Sequence, residues 1–248
     1  MNILLFQFRD DAVIKETEYN SFVHFSGLAS AEITSFDVLN RYEELTEEAI
    51  PRVLAQYDGI LIAGNGSESV TYAQELPFSE HIMQVIKEAR RLEIPTLAIC
   101  FGAQFSALAF GGEVKRWAEM KEVGSTFAYL IAAGQEDRLL SSLPERFATQ
   151  QGHNDSITEL PDGAVLLASS DVCPIQAFTF PNEFFYAVQF HPELGADELR
   201  ARLEYYKEFY SDNMDEFNAI LSGIKDSTEA SALLERFVQL IETEEGSR

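Results

Sequence analysis

Cysteine is scarce in this chain, with Cys100 and Cys173 the only two in 248 residues. So few thiols exclude a disulfide framework and point to a reducing compartment. The four histidines and two cysteines show no ligand spacing of a metal site, and neither a metal nor a cofactor is expected. Positive charge is also in short supply: 18 Lys and Arg stand against 41 Asp and Glu, a formal charge of −23. That surface repels phosphate backbones and anionic lipid, which argues against nucleic acid or a membrane as partner. Long apolar runs are missing as well. The N-terminal M-N-I-L-L-F-Q-F meets Arg9-Asp10-Asp11 too soon for a signal peptide, and no later segment approaches the roughly 20 residues of a membrane span. A cytoplasmic location is expected.

What the chain does have is apolar content of 46%, enough for a sizeable core at a length near the upper size of one domain. Asn2 to Phe6 reads as a first buried strand, Arg9 to Asn20 as the loop after it, and Glu32 to Leu39 as a second strand. Glu47 to Gln56 reads as a helix, Gly59 to Ala63 as a strand, Ser79 to Leu92 as a helix and Thr96 to Ile99 as a strand buried on both faces. This alternation implies right-handed crossovers and an α/β fold with a mostly parallel sheet between helices. After Phe110 the pattern changes: Gly112–Val114, Gly124–Ile131, Arg146–Gln150, Val165–Ser169, Ile175–Phe180 and Phe184–Phe190 are strand-like with few helices between them. They are expected to add mixed or antiparallel strands to the same sheet. From Ala196 the chain turns helical, so residues 196–248 are expected as a helical extension packed on residues 1–195.

The stretch P-T-L-A-I-C-F-G-A-Q, Pro95 to Gln104, carries the first chemical signal. Cys100 stands where the Thr96–Ile99 strand must stop and a helical sequence begins, with Ala98 two residues before it and Gly102 two after. Small residues at those places let a sharp strand-to-helix turn pack closely, as in a nucleophile elbow. A helix N-terminus stabilises a thiolate by at most about 2 kcal/mol, or about 1.5 pK units, so a base must complete the site. F-F-Y-A-V-Q-F-H-P-E, Phe184 to Glu193, supplies one. Its apolar strand ends at His191, and Glu193 two residues on points the same way in an extended segment, so it can hold one ring nitrogen and aim the other at the sulfur. For a developing oxyanion the elbow brings the backbone N–H of Phe101, and the glycine-rich turn Ala63 to Ser69 opens onto the same sheet edge as Cys100.

These motifs together resemble the class I glutamine amidotransferases. C-F-G-A-Q at Cys100 to Gln104, H-P-E at His191 to Glu193 and the glycine turn at Gly64 to Gly66 look like that family's three signatures. A-F-G-G-E-V at Ala109 to Val114, E-V-G at Glu122 to Gly124, H-N-D at His153 to Asp155 and C-P-I-Q-A-F at Cys173 to Phe178 are similar to the amidotransferase portion of GMP synthase and its free-standing relatives. The resemblance covers roughly residues 1 to 195. It implies a flavodoxin-like fold, attack of Cys100 on the side-chain amide of glutamine, a glutamyl thioester and release of ammonia. It further implies that His191, oriented by Glu193, moves the protons, that Phe101 and Gly64 supply oxyanion amides, and that Gly66, Gln104, Asn154 and Asp155 hold glutamine. Cys173 is taken as structural, and Asn65 stands where relatives often carry Gly or Pro.

Two other readings stay open at this point. The same triad could hydrolyse other γ-glutamyl compounds without delivering ammonia, or the fold could persist as a catalytically silent binding module, against which the intact Cys, His and Glu count. S-G-I-K-D-S, Ser222 to Ser227, superficially resembles an ATP-pyrophosphatase loop, but the about twenty residues after it are too few for a nucleotide-binding domain, and a turn between helices explains it better. No synthetase domain is read in these residues, so the expectation is an amidotransferase subunit, with a synthetase partner to capture the ammonia, or a free-standing glutaminase.

Overall fold

A computed structural model describes residues 1–210 and 213–245. The chain runs β1 (Ile3–Phe8), α1 (Ala12–Ser26), β2 (Ile33–Asp37), α2 (Val38–Arg41), α3 (Ile50–Leu54), β3 (Gly59–Asn65), α4 (Ser79–Arg91), β4 (Thr96–Ile99) and α5 (Phe101–Ala109). It continues through β5 (Glu113–Lys115), β6 (Glu122–Leu130), α6 (Ala132–Glu136), β7 (Arg146–His153), β8 (Ser156–Glu159), β9 (Val165–Ser170), β10 (Ala177–Thr179) and β11 (Phe185–Val188). Four helices follow: α7 (Ala196–Tyr205), α8 (Lys207–Tyr210), α9 (Met214–Gly223) and α10 (Thr228–Glu245). Residues 211–212 and 246–248 of the expected extension lie outside the described residues.

The main sheet has the order β2-β1-β3-β4-β11-β10-β9-β6-β7. Its first five strands are parallel to one another, and each of the remaining neighbours pairs antiparallel. The mixed sheet therefore joins a parallel half, built by helical crossovers, to a half built from later strands. Along β1 the alternation of strand side chains sends Ile3 and Leu5 to one core and Leu4, Phe6 and Phe8 to the other. The first core takes Phe22 of α1 and Leu233, Leu234, Phe237, Val238 and Ile241 of α10, and the second takes Ile82, Val85, Ile86 and Ala89 of α4 with Phe105 of α5. So α10, the last helix, covers a face of the central sheet.

Three expectations are corrected. Arg9 to Asn20 is mostly helix, not loop: Asp11 caps α1 by accepting from the N–H of Val13 and Ile14 at 2.8 and 3.1 Å, and Gly27, at φ 73°, ends it. Its polar look misleads because α1 buries Glu18 and Ser21 alongside Phe22. Gly112–Val114 does not join the main sheet, since β5 pairs with β8 in a separate two-stranded ribbon, and β8 itself was not foreseen. The helix expected over Glu47–Gln56 shrinks to five residues, with Pro51, which lacks an N–H, in its first turn.

Candidate active site

The carboxyl ends of β1, β3, β4 and β11 meet at one edge of the sheet, where an open α/β fold collects its functional groups. Cys100 bridges β4 and α5 at φ 50°, ψ −103°, a positive φ that only a supported turn sustains for a residue with a Cβ. Its N–H donates to Val188 O at 2.8 Å and its carbonyl accepts from Gln104 N at 2.9 Å. Gly102 is required beside it, because a Cβ there would stand 2.5 Å from the Ile62 carbonyl oxygen. The elbow is thus real in backbone terms.

β11 ends at Val188, and the chain carries His191 back toward the elbow, its N–H donating to Gln150 O at 2.9 Å. His191 Nδ1 donates to Glu193 Oε1 at 2.8 Å, and both side chains are buried. A Cβ on Gly64 would lie 2.8 Å from His191 Cε1 and 3.6 Å from Cys100 Cβ, so β3, the elbow and the imidazole converge around that glycine. Burial opposes charge on His191, but Glu193 and the charge and hydrogen bond of Cys100 outweigh it and push the ring up to about 9. Burial would likewise raise Glu193, and His191 with Arg202 holds it down at about 2. An imidazolium held between a carboxylate and a sulfur can donate a proton to a leaving group and then take one from water.

Cys100, Phe101, Gln104, Asn154, Asp155, Asn65 and Phe209 are among the residues around a cavity at this edge. The cavity amounts to about 20 Å³, room for about one water molecule. Gln104 Nε2 donates to Asp155 O at 2.7 Å and Gln189 Oε1 at 3.2 Å, while the Asp155 carboxylate accepts from Ser69 Oγ at 2.5 Å and Arg116 Nε at 2.8 Å. Asn154 Nδ2 donates to Phe209 O at 3.2 Å. Gly66 does not border the cavity directly, because the Tyr206 ring occupies the place a Cβ would take. The segment Tyr206 to Tyr210 therefore lies over the glycine turn and the wall.

Sequence reasoning missed this cover, and it noted Asn65 only as a departure from the relatives' glycine turn. Asn65 Oδ1 accepts from Ser67 N and Glu68 N at 2.8 and 3.1 Å, shaping the turn, while its buried Nδ2 has no partner among the described residues. His153 and Asp155 do not form a second catalytic pair, since His153 Nδ1 faces the Asp155 backbone oxygen at 3.0 Å. Cys173 is buried, and ligand atoms of Glu122, His153 and Cys173 lie within 4.8 Å of one another. Both oxygens of Glu122 already accept hydrogen bonds, from Ser170 Oγ at 3.0 Å and Gln176 Nε2 at 2.5 Å, and burial pushes the Cys173 thiol up to about 11. Glu122 thereby ties β6 to Ser170 at the end of β9 and to Gln176 just before β10.

Comparison with known proteins adds family and fold. The family model described as "Glutamine amidotransferase class-I" matches residues 19–208. A glutamine-hydrolysing GMP synthase subunit from Methanocaldococcus jannaschii is 37% identical over 122 residues, 49% of this chain and 63% of that protein. Its counterpart from Thermoplasma volcanium is 34% identical over 158 residues, 64% of this chain and 72% of that one. The chain spans only 33% of the GMP synthase of Lactobacillus delbrueckii, at 32% identity. Among solved structures, a glutamine amidotransferase from Thermotoga maritima superimposes with a TM-score of 0.77 at 22% identity, covering 97% of each chain, which speaks for the fold alone.

Proposed function

Because this chain belongs to the class I glutamine amidotransferases, we propose that it hydrolyses the side-chain amide of glutamine through a glutamyl thioester on Cys100 and releases ammonia. The observation that carries the reading is the 2.8 Å His191–Glu193 pair facing a cysteine on a strained elbow. The Cys100 thiolate attacks the amide carbon, and the N–H groups of Phe101 and Gly64 receive the negative oxygen. The adduct collapses as the C–N bond breaks and His191 hands its proton to the departing nitrogen. Water then gives a proton to the neutral imidazole and attacks the thioester, releasing glutamate and restoring the thiolate.

In this reading Gly66, Gln104, Asn154 and Asp155 hold glutamine, Gln104 and Asp155 from a wall that their own hydrogen bonds brace. The small cavity means that Tyr206 and Phe209 withdraw first, freeing Asn154 Nδ2 from the Phe209 carbonyl. Residues 1–195 form the amidotransferase unit, and the described residues from 196 on form an extension packed on it. The relatives that are single subunits of GMP synthase support a separate synthetase as the ammonia acceptor. Two free buried cysteines suit the cytoplasm, and among the described residues no helix is long and apolar enough to cross a membrane.

The test is ammonia release from glutamine by the full chain, alone and with a synthetase partner. Activity that disappears in Cys100→Ala supports the proposal. Cleavage of γ-glutamyl peptides but not glutamine turns it into a γ-glutamyl hydrolase, and no thioester with either leaves a silent binding module.

A further inference from the structure

The buried charges around His191 do not stop at Glu193. Arg9 Nε donates to Glu18 Oε2 at 2.7 Å, and Arg202 Nη2 reaches the same oxygen at 3.4 Å. Arg202 Nη1 donates to Glu193 Oε1 at 2.9 Å, the oxygen that also accepts from His191 Nδ1, and lies 3.4 Å from Nδ1 itself. The four side chains alternate in sign, and none is more than 8% exposed. Buried ion pairs of this kind seldom stabilise a fold more than apolar side chains of similar volume would. A line of them ending on the histidine's carboxylate therefore asks for a reason beyond holding α7 against α1.

We infer that Arg202, backed by Glu18 and Arg9, is a positioning residue for the triad: it fixes the Glu193 carboxylate on the Nδ1 side of His191 and offsets part of its charge there. An arginine suits both tasks, since its planar fork presents one nitrogen to each carboxylate and keeps its charge at every accessible pH. With the full field of an unshared carboxylate, the imidazolium would hold its proton too firmly to pass it to the departing nitrogen. The groups facing His191 are Cys100 from the β4–α5 turn, Glu193 two residues on and Arg202 from α7; Glu18 of α1 and Arg9 after β1 stand behind Arg202. Tyr210 of α8, whose phenol donates to Gly152 O at 3.1 Å, completes the surroundings on the Cys100 side.

The inference rests on the triad proposed above, so its experiment reads the imidazole directly. With four histidines in the chain, the ¹⁵N-histidine spectrum of the full-length protein is simple enough to assign His191 through His191→Asn. In Arg202→Met the His191 titration midpoint is expected to rise by about one unit, since a positive charge near Nδ1 is gone. In Arg202→Lys, which keeps the charge but not the fork, the midpoint stays near wild type while kcat for glutamine falls about 10- to 100-fold at little change in KM. In Glu18→Gln, which leaves Arg202 less neutralised, the midpoint moves down. An unchanged midpoint in folded Arg202→Met, or equal midpoints in the Met and Lys variants, overturns the inference. If Arg202→Met does not fold, a Glu18→Gln midpoint that fails to fall does the same. A wild type without glutaminase activity would overturn the proposed function instead, and the titration would still decide the role of Arg202.

Discussion

Each of the two cysteines sits in a buried group with one histidine and one glutamate: Cys100 with His191 and Glu193, Cys173 with His153 and Glu122. The residue types are the same and the geometry is not. At Cys100 the sulfur heads a helix on a strained turn, and His191 spends Nδ1 on the carboxylate, which leaves Nε2 for the sulfur. At Cys173 the thiol donates to Ile175 O at 3.5 Å, His153 spends Nδ1 on a backbone carbonyl, and its Nε2 lies 3.4 Å from Glu122 without a hydrogen bond to it. One carboxylate hydrogen-bonds its histidine and leaves the far nitrogen for a thiol; the other makes no hydrogen bond to its histidine. A Cys, a His and a Glu in proximity make a candidate site only when the imidazole stands between the other two.

Exchanging the nucleophiles breaks the comparison most completely. Cys100→Ala is expected to lower ammonia release at least about 10⁴-fold, and Cys173→Ala to leave kcat within about 3-fold, measured by a coupled glutamate assay. Gly64→Ala puts a methyl group 2.8 Å from His191 Cε1 and should lower kcat by about 100-fold with the far-ultraviolet circular dichroism unchanged, as a displaced imidazole no longer meets the sulfur. Access separates the groups next. Phe209→Ala is expected to speed iodoacetamide labelling of Cys100 by roughly 10-fold, and mass spectrometry should find Cys173 unlabelled in both proteins.

The smaller effects concern stability. His191 is raised when folded, to about 9 from an ordinary value near 6.5, so its contribution is complete below that ordinary value and is lost as the pH climbs through about 9. Urea midpoints of wild type and His191→Gln should therefore differ most near pH 6 and converge above pH 9. Cys173→Ala should cost about 1 kcal/mol at any pH between these, by removing a small buried group and its hydrogen bond.

Legibility followed the range of the forces involved. β4 was readable to the residue, and the Cys100 elbow with its small neighbours followed from steric limits that act over five positions. The His191–Glu193 spacing was readable because extended backbone repeats every two residues. α1 was not, since its buried face carries Ser21, which donates to Thr17 O within the helix, and Glu18, whose partners Arg9 and Arg202 lie outside it. β8 escaped because a four-residue ribbon strand paired only to β5 carries little periodicity of its own. The Asn65 Nδ2, unpartnered among the described residues, and the Phe209 cover left no pattern in neighbouring residues at all.

The sequence by itself determined the strand–helix alternation, the turn that presents Cys100 and the pairing of His191 with Glu193, because each depends on backbone sterics and side-chain direction within a few residues. Tertiary structure alone decided that Arg202 meets Glu18 across 184 positions of chain, that Tyr206 lies over Gly66, and that the histidine beside Cys173 spends its Nδ1 on the Asp155 backbone oxygen. Those outcomes depend on which buried charges and rings the packed elements bring within reach of one another. Only the folded sheet and its last helices fix that.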